Sequence, residues 1–201
     1  MAGKTSYSRI KNKNMLGIYD NVIFARKCEI SEIDIETAKA FQNANHIQGV
    51  TNASVRLGLF YNNVLISLMT FGKCRFDKNH EWEMLRFCCK LGMHIPGAAG
   101  KLLRYFENTY KPKSLISYAD KRWSIGGVYS ALGFTKLHDS KPGYFYVKDS
   151  HRLSRLNFQK HKLAAVLDVF NPKKSEAENM KDNGYYRIYD CGNMVFEKIY
   201  T

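Results

Sequence analysis

The segment His94-Ile95-Pro96-Gly97-Ala98-Ala99-Gly100-Lys101 places small residues where a strand gives way to a helix. Small side chains there let the amides of Gly97, Ala98, Ala99 and Gly100 approach a phosphate at the positive end of the helix dipole. The same residues also suit plain tight packing. Further on, Ser117-Tyr118-Ala119-Asp120-Lys121-Arg122-Trp123 ends an apolar run on a carboxylate followed by two cations and an indole. Asp120, at the carboxyl end of a strand, can take or orient the proton of an amine; it can equally cap the next turn and pair with Lys121 or Arg122. Arg86 suits either an ion pair with Asp120 or a substrate phosphate, with an ordinary structural pair as the alternative. His46, in the loop Asn45-His46-Ile47-Gln48-Gly49, either lines a cleft or is merely solvated.

These residues need elements to hold them. Asn21 to Glu29 has strand composition, and Ser31 with Asp34 three residues on reads as the N-cap of a helix carrying Ile35, Ala38 and Phe41 inward. Ser54–Phe60 and Val64–Phe71 read as a hairpin around Tyr61, Asn62 and Asn63, because Asn tolerates the positive φ of a tight turn. Glu81 to Lys90 reads as a fourth strand, half exposed where it starts. Ala98 to Thr109 reads as a helix with Leu102, Leu103 and Phe106 on its apolar stripe and Pro112 beyond its end. Ser114–Ala119 is a short buried strand, and Ser124 a cap for a brief helix closed by Gly133. Phe134–Leu137 and Tyr144–Lys148 then pair as a last hairpin. The division expected is a basic arm over 1–20, a domain over 21–150 and a basic extension over 151–201. Within the extension, Asn183-Gly184 marks a turn before a strand.

His94 to Ala99 resembles the signature of the GNAT superfamily (Gln or Arg, two residues, Gly, one residue, Gly or Ala), with His at the first position. Tyr129-Ser130-Ala131-Leu132-Gly133-Phe134 resembles a second GNAT segment. The resemblance covers about two thirds of the chain. It implies an α+β, GNAT-type acyl-CoA transferase fold, with a mixed, mostly antiparallel central sheet flanked by helices. It also implies acetyl-CoA or another acyl-CoA as cofactor, with Phe87, Cys88, Gly97, Ala98, Ala99, Gly100 and Lys101 around it and Tyr129 returning a proton to the CoA thiolate. Ser117 to Asp120 followed by Gly127 and Tyr129, with Arg86 upstream, is similar to the phage Mom-type DNA modification proteins, and this similarity implies a DNA base amine as the acceptor. Residues 183–193 resemble the ends of phage homing-endonuclease-like proteins. No paired acidic residues with a following Lys and no His-Asn-His arrangement support a nuclease, so that resemblance implies at most a noncatalytic DNA-binding module.

The chain has 31 Lys and Arg against 18 Asp and Glu, a net charge of +13, which favours a densely negative partner, nucleic acid first. Lys73, Arg75, Lys121, Arg122, Arg152, Arg155 and Lys160 interleave with Phe71, Phe76, Trp123, Tyr144 and Phe158, a mixture suited to phosphate contact and base stacking. Trp123 is placed to stack on a flipped base or take its position. A charge run on a merely solvated face, and an acetyltransferase acting on a protein or small amine, are the alternatives. The five cysteines form no C-x-x-C pair and no apolar run approaches the roughly 20 residues of a membrane span, so reduced thiols, no metal site and a cytoplasmic, membrane-free protein are expected.

Overall fold

The computed structural model describes Lys13 and residues 16–200; most of the arm expected over 1–20 lies outside them. The strands in chain order are β1 (Asn21–Val22), β2 (Glu29–Glu32), β3 (Val55–Tyr61), β4 (Val64–Lys73), β5 (Trp82–Cys89), β6 (Met93–His94), β7 (Ser114–Asp120), β8 (Thr135–Asp139), β9 (Tyr144–Lys148), β10 (His151–Ser154), β11 (Tyr186–Tyr189) and β12 (Asn193–Ile199). The helices are α1 (Ile35–Asn45), α2 (Ala98–Tyr110), α3 (Gly127–Ala131), α4 (Leu163–Val166) and α5 (Glu176–Asp182). Seven strands form one sheet in the order β2-β3-β4-β5-β7-β12-β8, and three form a second in the order β10-β9-β11.

The chain divides into two compact units. The first holds residues up to Tyr118, Gly126–Leu137 and Val195 onward; the second holds Ala119–Ile125 and His138–Met194. Residues 138–150 thus group with the stretch after them, and β12 returns to the large sheet.

In the first unit the β3–β4 hairpin forms as expected, with Asn62 at φ 48° and Asn63 at φ 62° in its turn. Helices α1 and α2 cover opposite faces of the sheet. Ala38 of α1 packs on Leu68 and Cys88, whereas Phe106 of α2 stacks on Phe71 at 3.7 Å between ring centroids and meets the Trp82 ring edge-on at 5.3 Å. Leu68 and Phe71, an odd number of residues apart on β4, point to opposite sides.

Four local expectations are corrected. The strand expected over 21–29 is broken after Val22 by a 3-10 turn at Ala25–Lys27, because the Lys101 ammonium, distant in sequence, donates to the carbonyls of Ala25 and Cys28 and holds the turn. Asp34, not Ser31, caps α1, accepting from the Thr37 amide at 2.8 Å; Ser31 lies in β2 opposite Gly58. Gly126, at φ 84°, precedes α3 in place of a Ser124 cap. The last hairpin does not form: β8 joins the large sheet, while β9 is the middle of the small one.

The second unit packs Tyr146, Phe158, Leu163, Leu167 and Met180 into a core of its own. Helix α5 opens with a capping box between Ser175 and Glu178, and Asn183-Gly184 turns the chain into β11 as expected. Gly192 is required here: it sits at φ 73°, and a Cβ would lie 2.4 Å from the Ser140 carbonyl oxygen.

Candidate active site

Strands β5 and β7 run parallel and pair only at Trp82↔Leu115, Glu83↔Ile116 and Met84↔Ser117. Strand β5 continues to Cys89 paired on its other side with β4, so its β7 side is open from Leu85 on. An extra residue in β5 produces a bulge there, with Phe71 opposite Met84 and Thr70 opposite Arg86; bulges bend a strand and re-aim its side chains.

Tyr129 stands at this opening. Its ring stacks on Phe196 at 4.4 Å and lies edge-on to Phe134 at 5.7 Å. Its Oη is 3.1 Å from Ser117 Oγ, which donates to the Met84 carbonyl at 2.8 Å. A carbonyl only accepts, so two hydroxyl protons serve three oxygens: when Ser117 turns toward Tyr129, the phenol proton is free to point at another acceptor. Burial raises the phenol's pKa, opposed by the Ser117 hydrogen bond and the Arg86 charge, and the group is a proton donor at neutral pH. Arg86, half buried, donates to its neighbour's Leu85 carbonyl at 2.8 Å, while its Nε is buried without a partner. Burial, then the Arg75 charge, lowers its basicity, though a guanidinium stays protonated.

A second group lies on β5 and the connection before it. Glu83, expected at the exposed start of a strand, is only 1% exposed. Its two carboxylate oxygens accept from Arg75 Nε at 3.3 Å, Nη2 at 2.5 Å and the Arg75 backbone amide at 3.1 Å. The fixed guanidinium lies 5.5 Å from the centroid of Phe76, which is 80% exposed and edge-on to Tyr118 at 6.2 Å. Burial, then Glu83, pushes the Tyr118 phenol up to about 12. His80 ties this connection to β12, with Nε2 3.0 Å from Glu197 and Nδ1 3.3 Å from Asp77. In the sequence Ser117 stood out only as part of a motif, with no role of its own, and Glu83 and His80 carried no functional signal; alternation alone cannot distinguish a solvated Glu from one that a distant Arg neutralises.

The glycine-rich segment does open a helix. Gly97 is left-handed at φ 82°, and a Cβ on Gly100 would meet nothing closer than Leu132 at 3.9 Å. The Ala98 amide donates to Ile95, and as in any helix the first turn leaves amides without intrahelical acceptors. Beside it a cleft of about 590 Å³ is lined by Phe24, Arg26, Gly97, Gly100, Arg104 and Tyr105, among others. Lys101 Nζ also borders it but is held by the Ala25 and Cys28 carbonyls. His94 stacks on Tyr19 at 4.7 Å.

His46 caps α1 and its Nδ1 accepts from the Gln48 amide at 3.1 Å, shaping the turn. Phe87 is half buried opposite Met69. The Cys88 side chain joins the Ala38 and Leu68 cluster, and its carbonyl accepts from Ser67 Oγ of β4 at 3.0 Å, so its backbone is turned away from the opening. Lys73, at the end of β4, is exposed. In the second unit, Asp120 accepts from the Arg122 amide and Nε at 3.0 Å and from Nη2 at 2.5 Å, the turn-capping arrangement, while Lys121 pairs with Asp139 at 2.8 Å. Trp123 is 48% exposed. Arg152 and Arg155 lie over the rings of Phe145 and Tyr144, and Lys160 is exposed in a 3-10 turn.

The thiols differ in reactivity. Burial pushes Cys88 up to about 12, so at pH 8 about one molecule in 10,000 carries its thiolate, whereas Cys191 is exposed. Iodoacetamide is expected to label Cys191 in the native protein and Cys88 only after denaturation, by peptide mass mapping. Native labelling of Cys88 at a comparable rate contradicts this packing. A thiol whose pKa is raised by folding favours the native state below the ordinary value near 9, and that contribution is lost as pH rises from there toward 12.

No protein-family model and no curated protein matches the sequence. Among solved structures, the chain is similar to YncA, a putative acetyltransferase from Salmonella typhimurium with acetyl-CoA, at 13% identity and a TM-score of 0.50, over 86% of this chain and 94% of that one. It is also similar to the ribosomal-protein-S18-alanine N-acetyltransferase of Escherichia coli (10% identity, TM-score 0.49, 86% and 93% covered). A third is the PaiA N-acetyltransferase of Thermoplasma acidophilum in complex with coenzyme A (14% identity, TM-score 0.48, 86% and 99% covered). The fold is the α+β GNAT-type acyl-CoA transferase fold.

Proposed function

We propose that the protein is an acyl-CoA-dependent N-acyltransferase whose acceptor is a nucleic-acid base amine. The observation that carries the reading is Tyr129 at the opening between β5 and β7, with its proton network through Ser117 to Met84. The cleft beside the start of α2 fits the cofactor's phosphates: it combines the first-turn amides, the open Cβ direction of Gly100 and the cations Arg26 and Arg104. Bound there, an acyl-CoA supplies an activated thioester. The α2 amides with Arg26 and Arg104 hold phosphate, the Leu85 bulge exposes β5 backbone, and Tyr129 holds a proton at Oη.

Features around Arg75 support the acceptor class. Arg75, Phe76 and Tyr118 offer a fixed cation and aromatic rings to a planar ligand. Glu83 is bound through both oxygens to Arg75, an arrangement suited to an amine already neutral at pH 7, as on a nucleobase, more than to an alkylammonium that must first lose a proton. The Ser117 to Asp120 resemblance points the same way.

Isothermal calorimetry tests the cofactor half. The wild type is expected to bind CoA, and Gly100→Glu to bind it about 10- to 100-fold more weakly with an unchanged circular dichroism spectrum, because the added carboxylate faces the phosphates. No CoA binding by the wild type overturns the enzyme reading. Mass spectra of nucleosides from cells expressing the protein test the acceptor: an acyl adduct on a base is expected, and an adduct on protein lysine or a small amine instead overturns this half.

A further inference from the structure

The small sheet of the second unit has one covered face and one open one. Tyr146 and Leu153 turn inward to Phe158, Leu163, Leu167 and Met180. The register then fixes the opposite face. Phe145 is flanked by Ser154 and Ile188, and Val147 by Arg152 and Tyr186, and cross-strand partners share a side. On this side Tyr186 is 61% and Ile188 43% exposed, and the Arg152 guanidinium lies 4.5 Å from the Phe145 centroid.

We propose that this face docks an unpaired DNA strand, its bases lying on Phe145, Tyr186 and Ile188 and its phosphates meeting Arg152. Flat aromatic and β-branched side chains with an interleaved cation accept the face of any base, and the chain's net charge of +13 complements a polyanion. The face has few groups with which to read a 2′-hydroxyl, Ser154 and the Tyr186 phenol being its hydroxyls, which suits deoxyribose over ribose. The need for an unpaired strand rests on the base-acylation reading, since a base amine is reached only outside the duplex stack.

Fluorescence anisotropy of a labelled 16-residue oligothymidylate with the full chain tests this. Binding is expected to weaken steeply with salt, and Tyr186→Ser and Arg152→Gln, both at exposed positions, each to weaken it roughly 5- to 100-fold with CoA affinity unchanged by calorimetry. Unchanged oligothymidylate affinity in both variants overturns the docking face while leaving the acyltransferase reading intact. Loss of CoA binding in the wild type strikes that reading and leaves the face standing. Tighter binding of oligouridylate or of duplex overturns the choice of unpaired DNA. If the variants abolish a concentration-dependent dimer in sedimentation and leave DNA affinity unaltered, the occupant is a second copy of the chain and the proposal is wrong.

Discussion

Tyr129→Phe is expected to lower acyl-transfer turnover by about 100- to 10,000-fold, the range removed with a well-placed acid group. The substitution keeps the ring that stacks on Phe196 and abuts Phe134 and deletes the hydroxyl beside Ser117. The loss should fall on kcat, because the proton is needed as the leaving group departs and not while the cofactor binds. CoA affinity by calorimetry is expected to stay within about twofold, and stability within roughly 1 kcal/mol, the net worth of one hydrogen bond. Thiol release from acetyl-CoA in the presence of oligonucleotide is the measurement. Full turnover in Tyr129→Phe makes the tyrosine a packing residue and removes the main support for the catalytic reading.

Phe106→Ala is expected to cost about 3–5 kcal/mol of stability. Phe106 is fully buried, stacks on Phe71 and on Tyr110, and touches Trp82, so truncation leaves a cavity between α2 and the sheet lined by rings that cannot collapse into it. For a chain of this length the melting temperature should fall by roughly 6–20 °C, read by circular dichroism or calorimetry. A change near zero means that α2 is not pinned to the sheet through this residue. Because the same helix carries the Gly97–Lys101 turn, CoA affinity should weaken in parallel near the new melting point and recover on cooling.

Local chemistry made part of this molecule legible in the sequence. Asn62 and Asn63 tolerate positive φ and so specify the β3–β4 turn; Pro96-Gly97 and Pro112 bracket α2, whose apolar stripe places Leu102, Leu103 and Phe106 inward. Each depends on the conformational limits of one residue or on the spacing within one helix, which a neighbourhood of a few residues contains. Alternation could not reveal the bulge at Leu85, which exists only in the register between β4 and β5. Nor could it reveal that Glu83 is buried, since that depends on Arg75 arriving with a bidentate guanidinium. The division of β8 and β9 between two sheets is likewise tertiary: both runs have strand composition, and what separates them is the partner available to each, β12 for one and β10 with β11 for the other. Tyr129 joins the two levels. Its position before Leu132-Gly133-Phe134 was visible as a motif, but its place at the opening, with Ser117 to share its proton, required β5 and β7 to stop pairing at Met84 and Ser117, and a strand's hydrogen-bond partner is decided by the fold.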